Sequence, residues 1–386
     1  MTKLFLSILS SALLWPASLQ AAPPPAKPPG VVINHLPATN RSYLGSPSIA
    51  ALADGTYVVS HDIFGQDSTE DKTLIFQSHD EGATWKQIAK LQGQWWSTLF
   101  VHRTNLYIAG TTRANGFVGI RRSRDGGKTW TEPADNSSGL LLSNARYHCA
   151  PVPVIVHHGR IWRAMEDGMG GGGWGKQFRA FMMSAPEEAD LLKAESWTFS
   201  NRIARDETWL NGSFDGWLEG NAVVLPDGQM TDILRVASTN YPEHAAIIQI
   251  SADGAKASFD PLNGFIEFPG GSKKFTIRFD PQSKRYWSLA NPVPEKFQST
   301  PPDQTRNTLA LISSTDCRKW SVDKILCQNA DTEKHGYQYV DWLFEGGDLI
   351  AVIRTAHDDD LSGANNYHNS NYITFYRVKN FRGLRQ

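Results

Sequence analysis

The chain has 386 residues, 40% of them hydrophobic and 20% charged, with 38 Lys and Arg against 39 Asp and Glu. A formal net charge of −1 removes the electrostatic case for nucleic acid or a membrane surface as partner. The length suffices for a substantial core, and the 3 cysteines show no Cys-x-x-Cys or His/Cys spacing that would hold zinc.

The first residues read as a secretory signal over 1–22. Lys3 gives the positive start, Leu4 to Trp15 the apolar run, and Ala21-Ala22 the small-residue cleavage region. The run is too short to span a membrane, and no later segment approaches that length. A Pro-rich linker (23–30) follows. The expectation is an exported, soluble and monomeric protein, secreted or periplasmic, with a single domain over 31–386.

From there, paired β-rich runs recur around short turns. The turns are Asp54-Gly55, Thr104-Asn105, His158-Gly159, Asp227-Gly228, Gln282-Ser283 and Gly346-Gly347. Each hairpin is followed by a third strand, as at Thr73–Gln77, Val118–Arg122 and Tyr372–Arg377. Two third strands run into Ser78-His79-Asp80-Glu81-Gly82-Ala83-Thr84-Trp85 and Ser123-Arg124-Asp125-Gly126-Gly127-Lys128-Thr129-Trp130, both of the form Ser-x-Asp-x-Gly-x-Thr-Trp. Eroded copies begin at Ser251 and Ser314. Such a stretch folds as a turn: the Asp accepts backbone N–H groups, the Gly takes a positive φ, and the Trp packs the turn onto the sheet. Repeats of this size stack into a ring. The count predicts an all-β, six-bladed β-propeller, with seven blades if 138–146 hides another. Val31–His35 has no hairpin of its own and is expected to close the ring as the outer strand of blade six.

These turns are Asp-boxes, and with six repeats the chain resembles the sialidase superfamily over nearly its whole mature length. The turns follow third strands and so mark the face away from the site. The opposite face collects what precedes first strands and follows second strands. It is rich in Arg, His, Tyr and Trp, including Trp95, Trp96 and His148 as sugar-binding candidates. The resemblance implies Tyr339, in Tyr339-Val340-Asp341-Trp342, as nucleophile and Glu219 as its activating base. It implies Arg235 and Arg306 as two of three carboxylate-binding arginines, with Arg354 nearby. Asp67 is the expected acid/base, with Asp62 in reserve.

The match is incomplete. Where the family has its first arginine, this chain reads Gly45-Ser46-Pro47-Ser48, and Arg41 is the candidate to reach in instead. His61, at the end of the same hairpin, offers an alternative acid or base near neutral pH. The leading reading is therefore an exported exo-glycoside hydrolase that removes a terminal acidic sugar from an oligosaccharide or polysaccharide. The alternatives are a propeller polysaccharide lyase or α-L-rhamnosidase centred on a histidine, and a sugar-binding propeller without catalysis. No cofactor or metal is expected; the run Asp358-Asp359-Asp360 reads as a solvated loop, with calcium binding as the alternative. Cys317 and Cys327 can bridge adjacent strands of one blade in an oxidising compartment, which leaves Cys149 as the odd thiol.

Overall fold

The computed structural model describes residues 27–384. The expected signal peptide and the first half of the Pro-rich linker lie outside them. Among the described residues, no helix is long and apolar enough to cross a membrane.

Six antiparallel sheets follow one another along the chain, each a blade of a propeller. Blade one runs Ser42–Ala51, Tyr57–Gly65, Lys72–Ser78 and Lys86–Gln92 from the axis outward. Blade six runs Gly336–Glu345, Asp348–Ala356 and Tyr372–Val378, and its fourth strand is Val31–His35, which pairs with Tyr372–Val378 in the register Val31 to Phe375 and His35 to Tyr372. The ring closes as the unpaired first strand requires, and 138–146 forms the short outer strand of blade two (Leu140–Leu142) instead of a seventh blade.

Alternation along each strand sends apolar side chains to both faces of each sheet. The result is six buried cores, one between each neighbouring pair of blades. Ile49, Val59 and Phe76 of blade one meet Ile350, Val352 and Phe375 of blade six. On its other face Val58 and Ile75 meet Leu99 and Ile108 of blade two.

The two Asp-boxes fold alike. The Asp80 carboxylate accepts the Thr84 N–H at 2.9 Å and the Thr84 hydroxyl at 2.5 Å, and the Trp85 indole donates to the Gly82 carbonyl at 3.0 Å. Asp125, Thr129, Gly127 and Trp130 repeat this pattern at 2.9, 2.6 and 2.8 Å. The hydroxyl and backbone donors of Thr84 hold the Asp80 carboxyl down to about 2. In the eroded copy Cys317 takes the glycine's place at φ 60°, and Trp320 still donates to its carbonyl at 3.1 Å.

That position corrects one expectation. Cys317 and Cys327 are both free and buried. Cys317 packs into the core between blades four and five, and Cys327 into the core between blades five and six. They lie on opposite faces of one sheet, so no disulfide joins them.

One irregularity recurs. The first strands of blades one, two, four and six each slip register against their second strands, between Gly45 and Ser48, Trp95 and Thr98, Leu218 and Asn221, and Gln338 and Asp341. Each slip is a bulge whose first residue is left-handed: Ser46 (φ 49°), Trp96 (50°), Glu219 (62°) and Tyr339 (53°). Bulges bend a strand and re-aim a side chain. Pro47 occupies the second bulge position of blade one, where proline's missing N–H is tolerated.

Just past each bulge stands a polar side chain that bonds the next blade. Asp341 accepts the Ser48 hydroxyl at 2.8 Å and the Ile49 N–H at 3.1 Å, and Ser48 in turn accepts the Leu99 N–H at 2.9 Å. Thr98 accepts the Val152 N–H at 3.0 Å, and Asn221 accepts the Ile277 N–H at 3.0 Å. Glu166 accepts the Gly220 N–H at 3.1 Å, and Thr276 donates to the Val340 carbonyl at 2.8 Å. These bonds form a closed circuit of six blade-to-blade links.

The Asp-box glycine of blade one seats its turn on blade six. At φ +89°, a Cβ on Gly82 would lie 2.3 Å from the Phe375 ring. We expect Gly82→Ala to cost about 1–3 kcal/mol, read as a lowered midpoint in denaturant with an unchanged slope. An unchanged midpoint would show that this contact does not hold the ring closure.

Candidate active site

All four left-handed bulge residues line one cavity of about 140 Å³ at the axis, on the face opposite the Asp-boxes. Gly45, Asp62, Phe64, Glu70, Trp95, His148, Trp174, Arg354 and His368 complete most of its wall. A larger cavity of about 840 Å³ opens at the other mouth, lined by Val156, Leu225, Ile277, Phe279 and Phe344, with Arg278 and Lys284 as its charged groups. It is mainly apolar and contains no carboxylate, histidine or cysteine. Carboxylates and histidines gather instead in the smaller cup.

Tyr339 and Glu219 stand at its centre. Tyr339 is half-buried and reachable from the cup, whereas Glu219 is buried and accepts Arg235 Nη1 at 3.0 Å. Burial alone would raise the Glu219 carboxyl. Arg235, His148 and the Tyr339 hydroxyl more than offset it, so the group sits below its ordinary pKa. It therefore stands ionised, a carboxylate with free acceptor capacity beside Tyr339.

Three guanidinium groups gather around these two residues. Arg354 lies 4.8 Å and Arg306 5.8 Å from the Tyr339 ring centre. Arg235 is the third, and it is anchored by the Ser272 carbonyl at 2.8 Å. Arg306 is held by the Asp303 carbonyl at 3.1 Å and by Gln338, and Arg354 by the His368 carbonyl at 2.6 Å. Neither Arg306 nor Arg354 has a carboxylate partner among the described residues. Burial pushes Arg354 down to about 10 and also lowers Arg306. Two buried cations that feel Glu219 at a distance, with no carboxylate in contact among the described residues, make a site that an anion would relieve.

The absence of an arginine at Gly45, where the resemblance implies one, has a spatial account. A Cβ on Gly45 would lie 3.1 Å from the Phe64 ring and 3.8 Å from Arg354 Nη1. Phe64 and Arg354, themselves stacked at 4.5 Å, fill the space beside residue 45. Arg41 is exposed in a left-handed turn and is absent from the cavity lining, so it does not supply the third guanidinium.

Two other expectations shift. Asp67 is exposed in a turn outside the cavity lining, whereas Asp62 is buried and lines it. Asp62 accepts the Trp96 N–H at 2.7 Å and the Thr73 hydroxyl at 2.6 Å. Burial nevertheless pushes it up to about 7. His61, its neighbour, points to the other side of the strand. It contacts the Asn34 amide at 3.0 Å and stacks on Phe76, and burial holds it neutral, down to about 4. His61 does not face the cup, and alternation with the core residue Val59 is the sequence signal for that.

The histidine of the cup is His148. Its Nδ1 lies 2.9 Å from Glu166, and its ring packs on Phe178 and against Trp96 and Trp174. Trp174 rises from the Gly170–Gly173 run and is exposed, and with Trp96 it gives the cup an aromatic wall. Trp95 is buried beneath Trp96. The blade phase puts Glu166 and Trp174, which follow or end blade three's second strand, on this face, but no motif in the sequence gives either of them a role in the cup.

Behind the cup, Asp232 is fully buried, and neither carboxyl oxygen has a hydrogen-bond partner. A side chain at Gly220 would meet it at 2.0 Å. Burial, reinforced by Glu166, drives its pKa well above the carboxylate range. The folded protein therefore keeps this proton while the unfolded chain loses it above about pH 4, so Asp232 takes stability away as pH rises. Asp232→Asn should gain on the wild type by up to about 1.4 kcal/mol per pH unit above pH 4, followed by denaturation at pH 5 and 8. A pH-independent difference would contradict a protonated Asp232.

No family model and no curated protein matches this chain. Solved structures do. An α-L-arabinofuranosidase of Fusarium graminearum superposes with a TM-score of 0.57 at 13% identity, over 91% of this chain and 97% of its own. The Hadza microbial sialidase Hz136 gives 0.57 at 11%, over 91% of this chain and 68% of its own. A Trypanosoma rangeli sialidase gives 0.52 at 14%, over 89% of this chain and 55% of its own. At such identities the likeness is one of fold: the chain is an all-β, six-bladed propeller.

Proposed function

We propose that the protein is an exported exo-glycoside hydrolase that removes a terminal sugar bearing a carboxylate. The observation that carries this reading is the cluster of Arg235, Arg306 and Arg354 around Tyr339, two of its three cations having no carboxylate partner. Guanidinium groups pair with a carboxylate in fixed geometry, which holds the sugar in one orientation.

In this mechanism Glu219 takes the phenol proton and Tyr339 attacks the anomeric carbon, with the leaving oxygen departing as an alcohol. A neutral phenol approaches an anionic sugar without the repulsion a carboxylate would meet, and the adjacent guanidinium groups stabilise the negative charge that develops on its oxygen. Asp62, protonated up to about pH 7, supplies the proton to the leaving group. Water then cleaves the glycosyl-tyrosine, with Asp62 as base and net retention. Trp96 and Trp174 offer an aromatic wall for the sugar ring.

His148 sustains a second reading. Held through Nδ1 by Glu166, it could with Tyr339 remove a ring proton from a uronate and eliminate the glycosidic oxygen, which is lyase chemistry. The two differ in product, because elimination leaves a C=C bond that absorbs in the ultraviolet.

A screen against sialosides, uronides and rhamnosides, read by sugar release and by ultraviolet absorbance, separates them. We expect sugar release without new absorbance, abolished in Tyr339→Phe. Asp62→Asn should lose about 10²–10⁴-fold in kcat. In the wild type, kcat/KM should fall as pH rises through about 7, where Asp62 gives up its proton. Retained turnover in Tyr339→Phe excludes the hydrolase mechanism, and new absorbance with a uronide favours elimination.

A further inference from the structure

Two imidazoles and a carboxylate meet at the mouth of blade six, outside the cup lining. His335 precedes the first strand (Gly336–Glu345), and His357 and Asp358 follow the second (Asp348–Ala356). Pairing of Gly336 with Ala356 brings the two segments side by side. One donor atom from each of the three residues lies within 4.8 Å of the others.

The polar bookkeeping of this cluster is incomplete. His335 and His357 are each only 5% exposed. His335 Nδ1 is engaged by Asp331 Oδ2 at 3.1 Å, while its buried Nε2 faces Asp358 Oδ2 at 3.4 Å without forming a hydrogen bond. His357 Nδ1 is likewise buried and without a partner. An imidazole whose Nδ1–H is given to a carboxylate presents a lone pair at Nε2. Beside a carboxylate oxygen, that position is satisfied by a proton on Nε2 or by a cation between the two atoms. A separation of 3.4 Å is the edge of a tetrahedron with metal bonds of about 2.0–2.1 Å.

We propose that His335, His357 and Asp358 bind one divalent transition-metal ion. Two imidazole nitrogens and one carboxylate suit zinc and not calcium, which takes oxygen ligands. Asp331 is the outer carboxylate that orients a metal-bound histidine, and exposed Asp358 leaves a fourth position open to water. The neighbouring Asp359 takes no part, because it is occupied by His35 at 3.0 Å and Asn371 at 2.9 Å.

The ion ties together the loops on either side of blade six's inner hairpin. The second loop continues to Tyr367, which lies over Arg306 at 5.7 Å, and to His368, which holds Arg354. Tyr367 also donates its N–H to Glu333 of the first loop at 2.6 Å. The site thus braces the wall behind two of the three arginines, and it stands independently of the glycosidase reading.

The test is calorimetric titration of the chelator-treated intact chain with zinc chloride, together with the absorption spectrum of the cobalt(II) form. We expect one zinc per chain, a four-coordinate cobalt spectrum, no competition by calcium chloride, and at least about tenfold weaker zinc binding in His357→Ala and in Asp358→Asn. Asp358 is exposed, so its variant tests the site even where a histidine variant fails to fold. Absence of zinc binding by the wild type, equal binding of calcium, or undiminished zinc binding in Asp358→Asn overturns the proposal.

Discussion

The fold depends on a circuit of hydrogen bonds around its axis. Ser48, Thr98, Glu166, Asn221, Thr276 and Asp341 each bond the backbone at the inner edge of a neighbouring blade. The apolar cores between blades supply non-directional attraction, but they do not fix how far one blade slides past the next. The circuit does, because each bond joins a particular side chain to a particular backbone group. All six links have one end within two residues of a bulge residue in left-handed geometry, a conformation costing about 1–3 kcal/mol apiece for a non-glycine residue. That strain is maintained by the bonds on either side of it.

The same bulges make the cup. A regular strand would alternate its side chains between the two inter-blade cores. The slip of register turns Ser46, Trp96, Glu219 and Tyr339 out of that alternation and onto the cavity wall. The brace of the ring and the wall of the cup therefore share one device, and the residue that links the blades stands beside the residue that faces the cup. Asp341 shows this directly: it bonds blade one through Ser48 and Ile49, two positions after Tyr339. The arginines come from elsewhere, at the ends of second strands or the starts of third strands. For that reason the guanidinium beside Gly45 can be supplied by Arg354 of blade six.

Much of this was legible in the sequence. The Asp-boxes and turn pairs gave the blade phase, the phase assigned each loop to a face, and the orphan strand Val31–His35 predicted the closure. Tyr339, Glu219, Arg235, Arg306 and Arg354 meet in one place as the phase implied. What was not legible follows from local geometry. Asp62 lies near the end of blade one's second strand and Asp67 five positions on in the turn after it, and only the course of the chain decides which one is buried in the cup. His61 carries suitable chemistry on the wrong parity. Cys317 and Cys327 share a blade but occupy opposite faces, which depends on the bulges of the strand between them. The His335, His357 and Asp358 cluster unites segments some twenty residues apart that no spacing rule joins.

The central claim is that the cup reads a carboxylate. Its most direct measurement is calorimetric binding of paired sugars that differ only in that group, such as methyl glucuronide against methyl glucoside, and a sialoside against its 1-amide, to the Tyr339→Phe protein. The account predicts at least about tenfold tighter binding of the acid in one of these pairs, corresponding to about 1.4 kcal/mol, with the preference lost in Arg354→Met. Equal affinity for acid and neutral partner in both pairs, or a preference unchanged in Arg354→Met, would contradict it.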